Sequence, residues 1–238
     1  MKNKHCLLCG KNKRLVKAHI IPRGFWTSIK IDEKAARVYF KERKSKQSQS
    51  GIHDTNILCE DCDGKILGKW DKYAQELLLQ KLESYASIYE KVITVGEFDY
   101  SKLKLFFMSV LWRASVTSDR FFEKVSLNSW ESKLRQMILQ EIPGNVDDFS
   151  VLITRYWGLE AKCMPEPRRC KAKSNGLNFY EFRLANYDFL IKVDQRKFPD
   201  FLEPYLLQPD KPLMIRNIDY KITNEYQIIV DNIRAYPE

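Results

Sequence analysis

Cys6-Leu7-Leu8-Cys9-Gly10 and Cys59-Glu60-Asp61-Cys62-Asp63 are two C-x-x-C pairs about fifty residues apart, with Ala18-His19-Ile20-Ile21-Pro22 between them. A C-x-x-C pair directs two thiolates at one ion, and two pairs complete the tetrahedral four-sulfur set that Zn²⁺ takes. Gly10, directly after the first pair, lets the backbone turn with φ > 0 beneath the metal. The spacing therefore predicts a structural zinc site with Cys6, Cys9, Cys59 and Cys62 as its ligands. Four thiols that merely pack would not need the repeat. Disulfides fit less well, because a Lys-rich chain with no secretory segment is expected in the cytoplasm, where thiols stay reduced.

Composition bounds the rest. The 238 residues are 44% hydrophobic and 13% aromatic, ordinary for a globular chain with a sizeable core. No apolar run approaches the roughly 18 residues that a membrane span requires, and Met1-Lys2-Asn3-Lys4-His5 is not followed by the apolar core of a signal peptide. The formal charge of +9 is unevenly placed: residues 1–72 carry 17 Lys and Arg against 8 Asp and Glu, and residues 73–238 carry 23 of each. All of the excess lies in the cysteine-bearing third, the electrostatic footprint of a phosphate-backbone binder. A solvated basic surface is the plainer explanation of the same charge.

Along the chain, Leu15–Ile21 reads as a strand stopped by Pro22, and 23–30 as a short helix carrying Phe25, Trp26 and Ile29. Val38-Tyr39-Phe40 suits a short strand. From Lys41 to Gly51 the sequence is polar and aperiodic, a mobile loop whose cations could follow a phosphate backbone or simply be solvated. The second Cys pair opens a helix, and Trp70, Tyr73, Ala74, Leu77, Leu78, Leu82, Tyr85, Ile88, Tyr89 and Val92 form one apolar stripe ending near Gly96. Ser101 caps a further helix that is apolar on several faces and so largely buried. Arg113 inside it needs a partner, an ion pair or carbonyls. A third helix covers about Ser129–Glu141. Period-two patterning then marks strands at 149–154, 179–184 and 187–193, the last two joined by a turn at Ala185-Asn186. Prolines 199, 204, 209 and 212 interrupt any regular element over the next stretch, and Tyr226–Ile233 suits a short helix. Cys163 and Cys170 read as loop thiols, and His5 as a surface residue.

The expected fold is therefore α+β: an N-terminal zinc module over 1–70 with a β-hairpin and a helix, then a helical middle and a small antiparallel β part within 71–238.

Cys6-x-x-Cys9-Gly10, Ala18-His19-Ile20-Ile21-Pro22 and Leu58-Cys59-x-x-Cys62-Asp63 together resemble the zinc-bound HNH endonucleases of the ββα-metal, treble-clef type. The resemblance covers roughly residues 6–70. It implies a structural zinc, a metal-dependent endonuclease activity, and His19 as the general base. It also locates the departures. Ala18 stands where the family has an acidic metal ligand, and Asp54 where it has the Asn that steadies the base, with Asn56 two residues later. Asp63 replaces the final His or Asn and could hold Mg²⁺ or Mn²⁺, which favour carboxylate oxygen. His53 is close enough in sequence to substitute for the lost ligand. The chain also looks like a group of bacterial zinc proteins that share the His-Ile-Ile-Pro step, the Leu-Cys-x-x-Cys-acidic step and a later Leu-Trp-Arg, here Leu111-Trp112-Arg113. That group carries no known activity.

Two functions are compatible with these residues. In one the protein is an endonuclease: Lys17, Arg23, Lys41, Arg43, Lys44 and Lys46 lie on nucleic acid, DNA before RNA, while His19 activates water and Asp63 holds the cation. In the other, the zinc module binds DNA, RNA or a partner protein without catalysis, and His19 is a strand histidine packed under the zinc knuckle. The 71–238 region would supply a surface for a protein partner.

Overall fold

Every residue from Leu103 to Ala114 is buried, so the helix carrying them, α3 (Tyr100–Val116), has no solvent face over that span. A helix with apolar residues on all sides forms only inside a core, and α3 is the axis of this one. The computed structural model describes residues 4–30, 36–39, 44, 46–158, 164–172, 176–224, 226–227 and 231. The chain is mixed helix and sheet, consistent with the α+β expectation.

The N-terminal part begins with a two-residue-per-strand hairpin, β1 (Lys4–His5) and β2 (Asn12–Lys13), wrapped around the first Cys pair. Gly10 has φ of +71°, as its place after the pair predicted. Strand β3 is only Ala18–His19 and pairs antiparallel with β6 (His53–Asp54), placing His19 opposite His53. The longer strand expected over 15–21 is broken into separate contacts: Leu15 bridges Cys59, Val16 N–H donates to Leu58 O, and Ile20 N–H donates to Ile52 O. Helix α1 (Arg23–Ser28) buries Phe25 and Trp26. Gly51 (φ +84°) is forced by Trp26, since a Cβ there would lie 2.4 Å from the indole Cδ1.

Strand β4 (Ala36–Tyr39) pairs antiparallel with β5 (Lys46–Ser48) and parallel with β9 (Met164–Pro165). The polar 41–51 stretch is therefore not loop throughout. Its strand is made by backbone pairing, which leaves no side-chain period to read. Residues 41–43 and 45 lie outside the described residues.

After the second Cys pair one helical rod runs through a π-helical segment (Asp61–Leu67), α2 (Gly68–Gln75) and a second π-helical segment (Glu76–Leu82). The predicted stripe is correct as far as Leu82 and then fails. Tyr85, Ile88 and Tyr89 are 45%, 50% and 90% exposed, and Val92–Val95 is a strand, β7. The cap of α3 is Asp99, whose Oδ1 accepts from Lys102 N–H at 2.9 Å, rather than Ser101. Helix α4 (Trp130–Leu139) buries Leu134 and Ile138 as expected. Phe25 of α1 stacks on Phe106 of α3 at 5.6 Å between ring centroids.

The C-terminal part is not a small antiparallel sheet. Strands β8 (Val151–Trp157), β10 (Arg168–Lys171), β11 (Asn178–Leu184), β12 (Tyr187–Lys192) and β13 (Leu213–Asp219) join β7 in a six-stranded mixed sheet of order β10-β11-β12-β8-β13-β7. The β8–β13 pair is parallel. The predicted turn holds at Ala185, which has φ of +57°. Cys170 lies in β10, not in a loop, and Cys163 is outside the described residues. Of 226–233, only 226, 227 and 231 are described. Phe107 of α3 meets Phe189 of β12 at 4.6 Å between ring centroids, so the sheet packs on the same helix as the N-terminal part. One buried apolar cluster runs without a break from Cys6 to Ile215. No helix is long and apolar enough to cross a membrane among the described residues.

Candidate functional site

The sulfurs of Cys6, Cys9, Cys59 and Cys62 all lie within 4.8 Å of one another, with Cys6, Cys59 and Cys62 buried. Zinc–thiolate bonds of about 2.3 Å in a tetrahedron set sulfurs about 3.8 Å apart, so the cluster fits a metal ion such as zinc. Local backbone bonds make the arrangement. Gly10 N–H donates to Cys6 O at 2.8 Å, Leu7 N–H to Ile57 O at 2.9 Å, and Cys59 N–H to the Cys6 sulfur at 3.4 Å. The last bond stabilises negative charge on sulfur. The thiols also act on each other: contact with Cys62 lowers the pKa of Cys6 to about 4, and contact with Cys6 raises that of Cys62. From the helical body, Arg135 Nη1 donates to the carbonyl of Leu8 at 2.8 Å, propping the first knuckle from below.

His19 lies on β3 opposite His53 and is half-buried. Its Nε2 lies 2.9 Å from the carbonyl oxygen of Ser50. A carbonyl only accepts, so Nε2 carries the proton and Nδ1 keeps its lone pair. Burial lowers the pKa of His19 from 6.5, opposed by the Ser50 contact and aided by His53, Lys17 and Arg113, which keeps the ring neutral at pH 7. The Ser50 carbonyl thus steadies the imidazole, a task the resemblance gives to an Asn. Sequence could not name it, because a backbone carbonyl leaves no mark on residue identity.

Behind His19 lies Arg113. Its Nη1 donates to the His19 carbonyl at 3.0 Å and to Asp71 Oδ2 at 2.9 Å, its Nη2 to Asp71 Oδ1 at 2.7 Å, and its Nε to Ser109 O at 3.3 Å. Arg113 is 1% exposed, and where an ion pair or carbonyls were expected as its partners, it has both.

Of the other expected site residues, His53 and Asp54 lie on β6, directly opposite β3. Burial raises the pKa of Asp63, with Arg113 opposing and Asp71 adding to the rise. Asp54 is buried, and its carboxylate is occupied: Thr117 Oγ1 donates to it at 2.8 Å, Asn56 N–H at 2.8 Å and Ser118 N–H at 3.4 Å. The Asn56 side chain accepts from Lys4 on the exposed face. His53 faces His19 with ring centroids 6.0 Å apart, and its Nδ1 is buried with no hydrogen-bond partner among the described residues. Lys17, Arg23 and Lys44 are exposed. Lys41 and Arg43 lie outside the described residues, and for Lys46 only the backbone is described.

Among the described residues no donor set for Mg²⁺ or Mn²⁺ is assembled around His19: Ala18 offers no ligand, and Asp54 already accepts from three donors. Among the described residues, the four cysteines are the only group of three or more Cys, His, Asp or Glu side chains close enough to share an ion. No protein-family model matches this chain, and no curated protein or solved structure matches it either.

Proposed function

We propose that the protein is a zinc-stabilised, HNH-like nucleic-acid-binding protein that hydrolyses phosphodiester bonds, with the first 70 residues forming a treble-clef module on the four cysteines. The observation that carries this is the state of His19: a neutral imidazole, its Nε2–H fixed on Ser50 O and its Nδ1 lone pair kept, set on the strand next to the cysteine cluster. A base of that kind takes a proton from water as it attacks phosphorus, with the cationic first third of the chain, carrying Lys17, Arg23 and Lys44, holding the phosphate backbone. Arg113 and Asp71 fix the strand from behind. DNA is the first substrate to test.

The test is nicking of a supercoiled plasmid, and cleavage of a labelled RNA, with and without Mg²⁺ or Mn²⁺. His19→Ala should abolish cleavage while zinc content and nucleic-acid binding persist. Wild-type protein that never cleaves either polymer would overturn the proposal.

A second reading is favoured by Ala18 and by the missing donor set for a catalytic cation. In it the zinc module binds nucleic acid, or a partner protein through the 71–238 region, without chemistry. Salt-sensitive binding that is indifferent to His19 would be its signature.

A further inference from the structure

Beside the histidine pair the surface opens into a cleft of about 790 Å³. One wall comes from the N-terminal part, with Lys44, Ser48, His53 and Thr55. The other is Ser118–Phe121, the turn that follows α3 and lies outside the zinc module altogether. Asp54 fastens the walls together, because its carboxylate takes the Thr117 hydroxyl and the Ser118 N–H from one side and the Asn56 N–H from the other. The cleft is thus built by a buried carboxylate between two segments some sixty residues apart in sequence. Volumes of roughly 300–1,000 Å³ with a few convergent polar groups are typical of ligand sites.

Beside Val38, Ile52 and Phe121, the lining is mostly polar. Two cations (Lys44 and Arg120), three hydroxyls (Ser48, Thr55 and Ser118) and an imidazole border it. Of its acids, Asp54 is spent on the clamp and Asp119 accepts from Phe121 N–H at 2.8 Å. His53 supplies the directional group. Its Nδ1 is buried and has no partner among the described residues, a position that suits a bare lone pair and not a second N–H, since an unpaired donor costs more to bury than an under-used acceptor. The proton is then on Nε2, as a donor to whatever enters. Cations, hydroxyls and an imidazole N–H together match a phosphate oxygen set.

We propose that this cleft seats a phosphate of the nucleic-acid strand, with His53 as a hydrogen-bond donor to it and Lys44, Arg120 and Ser118 around it. The inference rests on the nucleic-acid reading and deepens it by placing the strand between the zinc part and the α3–α4 turn. His19 stands opposite His53 one strand over, so a phosphate held here brings its neighbour toward the base.

The test uses the full chain with zinc, and two probes: inorganic phosphate, and a single-stranded oligonucleotide. NMR of imidazole-labelled protein should show the His53 ring resonances shifting on addition of either probe. His53→Phe, and the pair Lys44→Ala with Ser118→Ala, should each weaken oligonucleotide binding about tenfold with unchanged zinc content. His19→Ala should bind normally. The oligonucleotide shifting His53 in a wild type that never cleaves would sink the nuclease reading and keep the cleft. Cleavage and binding untouched by all three cleft substitutions would keep the nuclease and overturn the cleft. If only the free anion binds and the oligonucleotide leaves His53 unmoved, the cleft is not a strand site and the inference is lost.

Discussion

The guanidinium of Arg113 donates to the backbone carbonyl of His19 at 3.0 Å, tying the candidate base to the most buried helix of the protein. The same fork takes Asp71 in a bidentate pair at 2.7 and 2.9 Å. A planar guanidinium can make both bonds at once, and an ammonium cannot.

Removing one partner of a buried pair leaves an uncompensated charge, which costs about 3–5 kcal/mol. Asp71→Ala should therefore lower the urea midpoint strongly. Asp71→Leu combined with Arg113→Met should recover much of the loss. Arg113→Lys retains charge but frees the His19 carbonyl, and the His19 titration followed by NMR should then move.

His19 should titrate below 6.5, because burial disfavours its charged form. Proton uptake by the unfolded chain therefore exceeds uptake by the folded one just below pH 6.5. This residue's contribution to stability is complete above that pH and lost as pH falls toward the folded value. The proposed cleavage should follow the same titration, at full rate near pH 7 and declining in acid. A rate that rises only above pH 8 would assign the base to another group.

Lys104 is fully buried on α3 with no hydrogen-bond partner for its Nζ among the described residues, and desolvation brings its pKa down to about 7. The unfolded chain holds that proton up to about 10.5, so between the two values the unfolded state binds more protons and stability from this group rises with pH. Lys104→Met keeps the shape and removes the unpaired amine, and should stabilise the protein at pH 7 by about 1–3 kcal/mol. Denaturant titrations at pH 7 and pH 9 check both statements, and the gap between variant and wild type should narrow at the higher pH.

Chelation should separate the cysteine cluster from the rest. Such sites draw much of their folding free energy from the metal, so removing zinc should expose the hairpin and the Leu15–Cys59 bridge to hydrogen exchange. Amides of α3 should stay protected, because its buried neighbours extend into the sheet. Cys59→Ser should reproduce the chelator's effect.

The cysteine cluster, the burial of α3 and the need of Arg113 for a partner were all legible in the sequence, because each follows from a residue type placed at a fixed interval. The elements that were missed depend on distant pairing. β5 is a polar strand held by backbone bonds to β4, and β7 belongs to a sheet whose other strands come after residue 150. Tyr85, Ile88 and Tyr89 continued a helical period although the chain had already left the helix, since Glu83 anchors its end to Arg155 at 2.7 Å, with Tyr187 and Asn186 adding to that carboxylate. Among the site residues, His19 lies opposite His53, Asp54 is consumed by Thr117, and Asn56 turns toward Lys4, partners that no spacing in the sequence discloses.

The pairing of β7 with β13, together with that of β4 with β9, means that each half of the polypeptide finishes a sheet begun by the other. A chain severed in the turn around Gly144 would leave two pieces that are mutually required as templates. Expressed separately, neither should persist in a cell; expressed together, they should find each other and copurify, which would make this protein a natural scaffold for a split reporter.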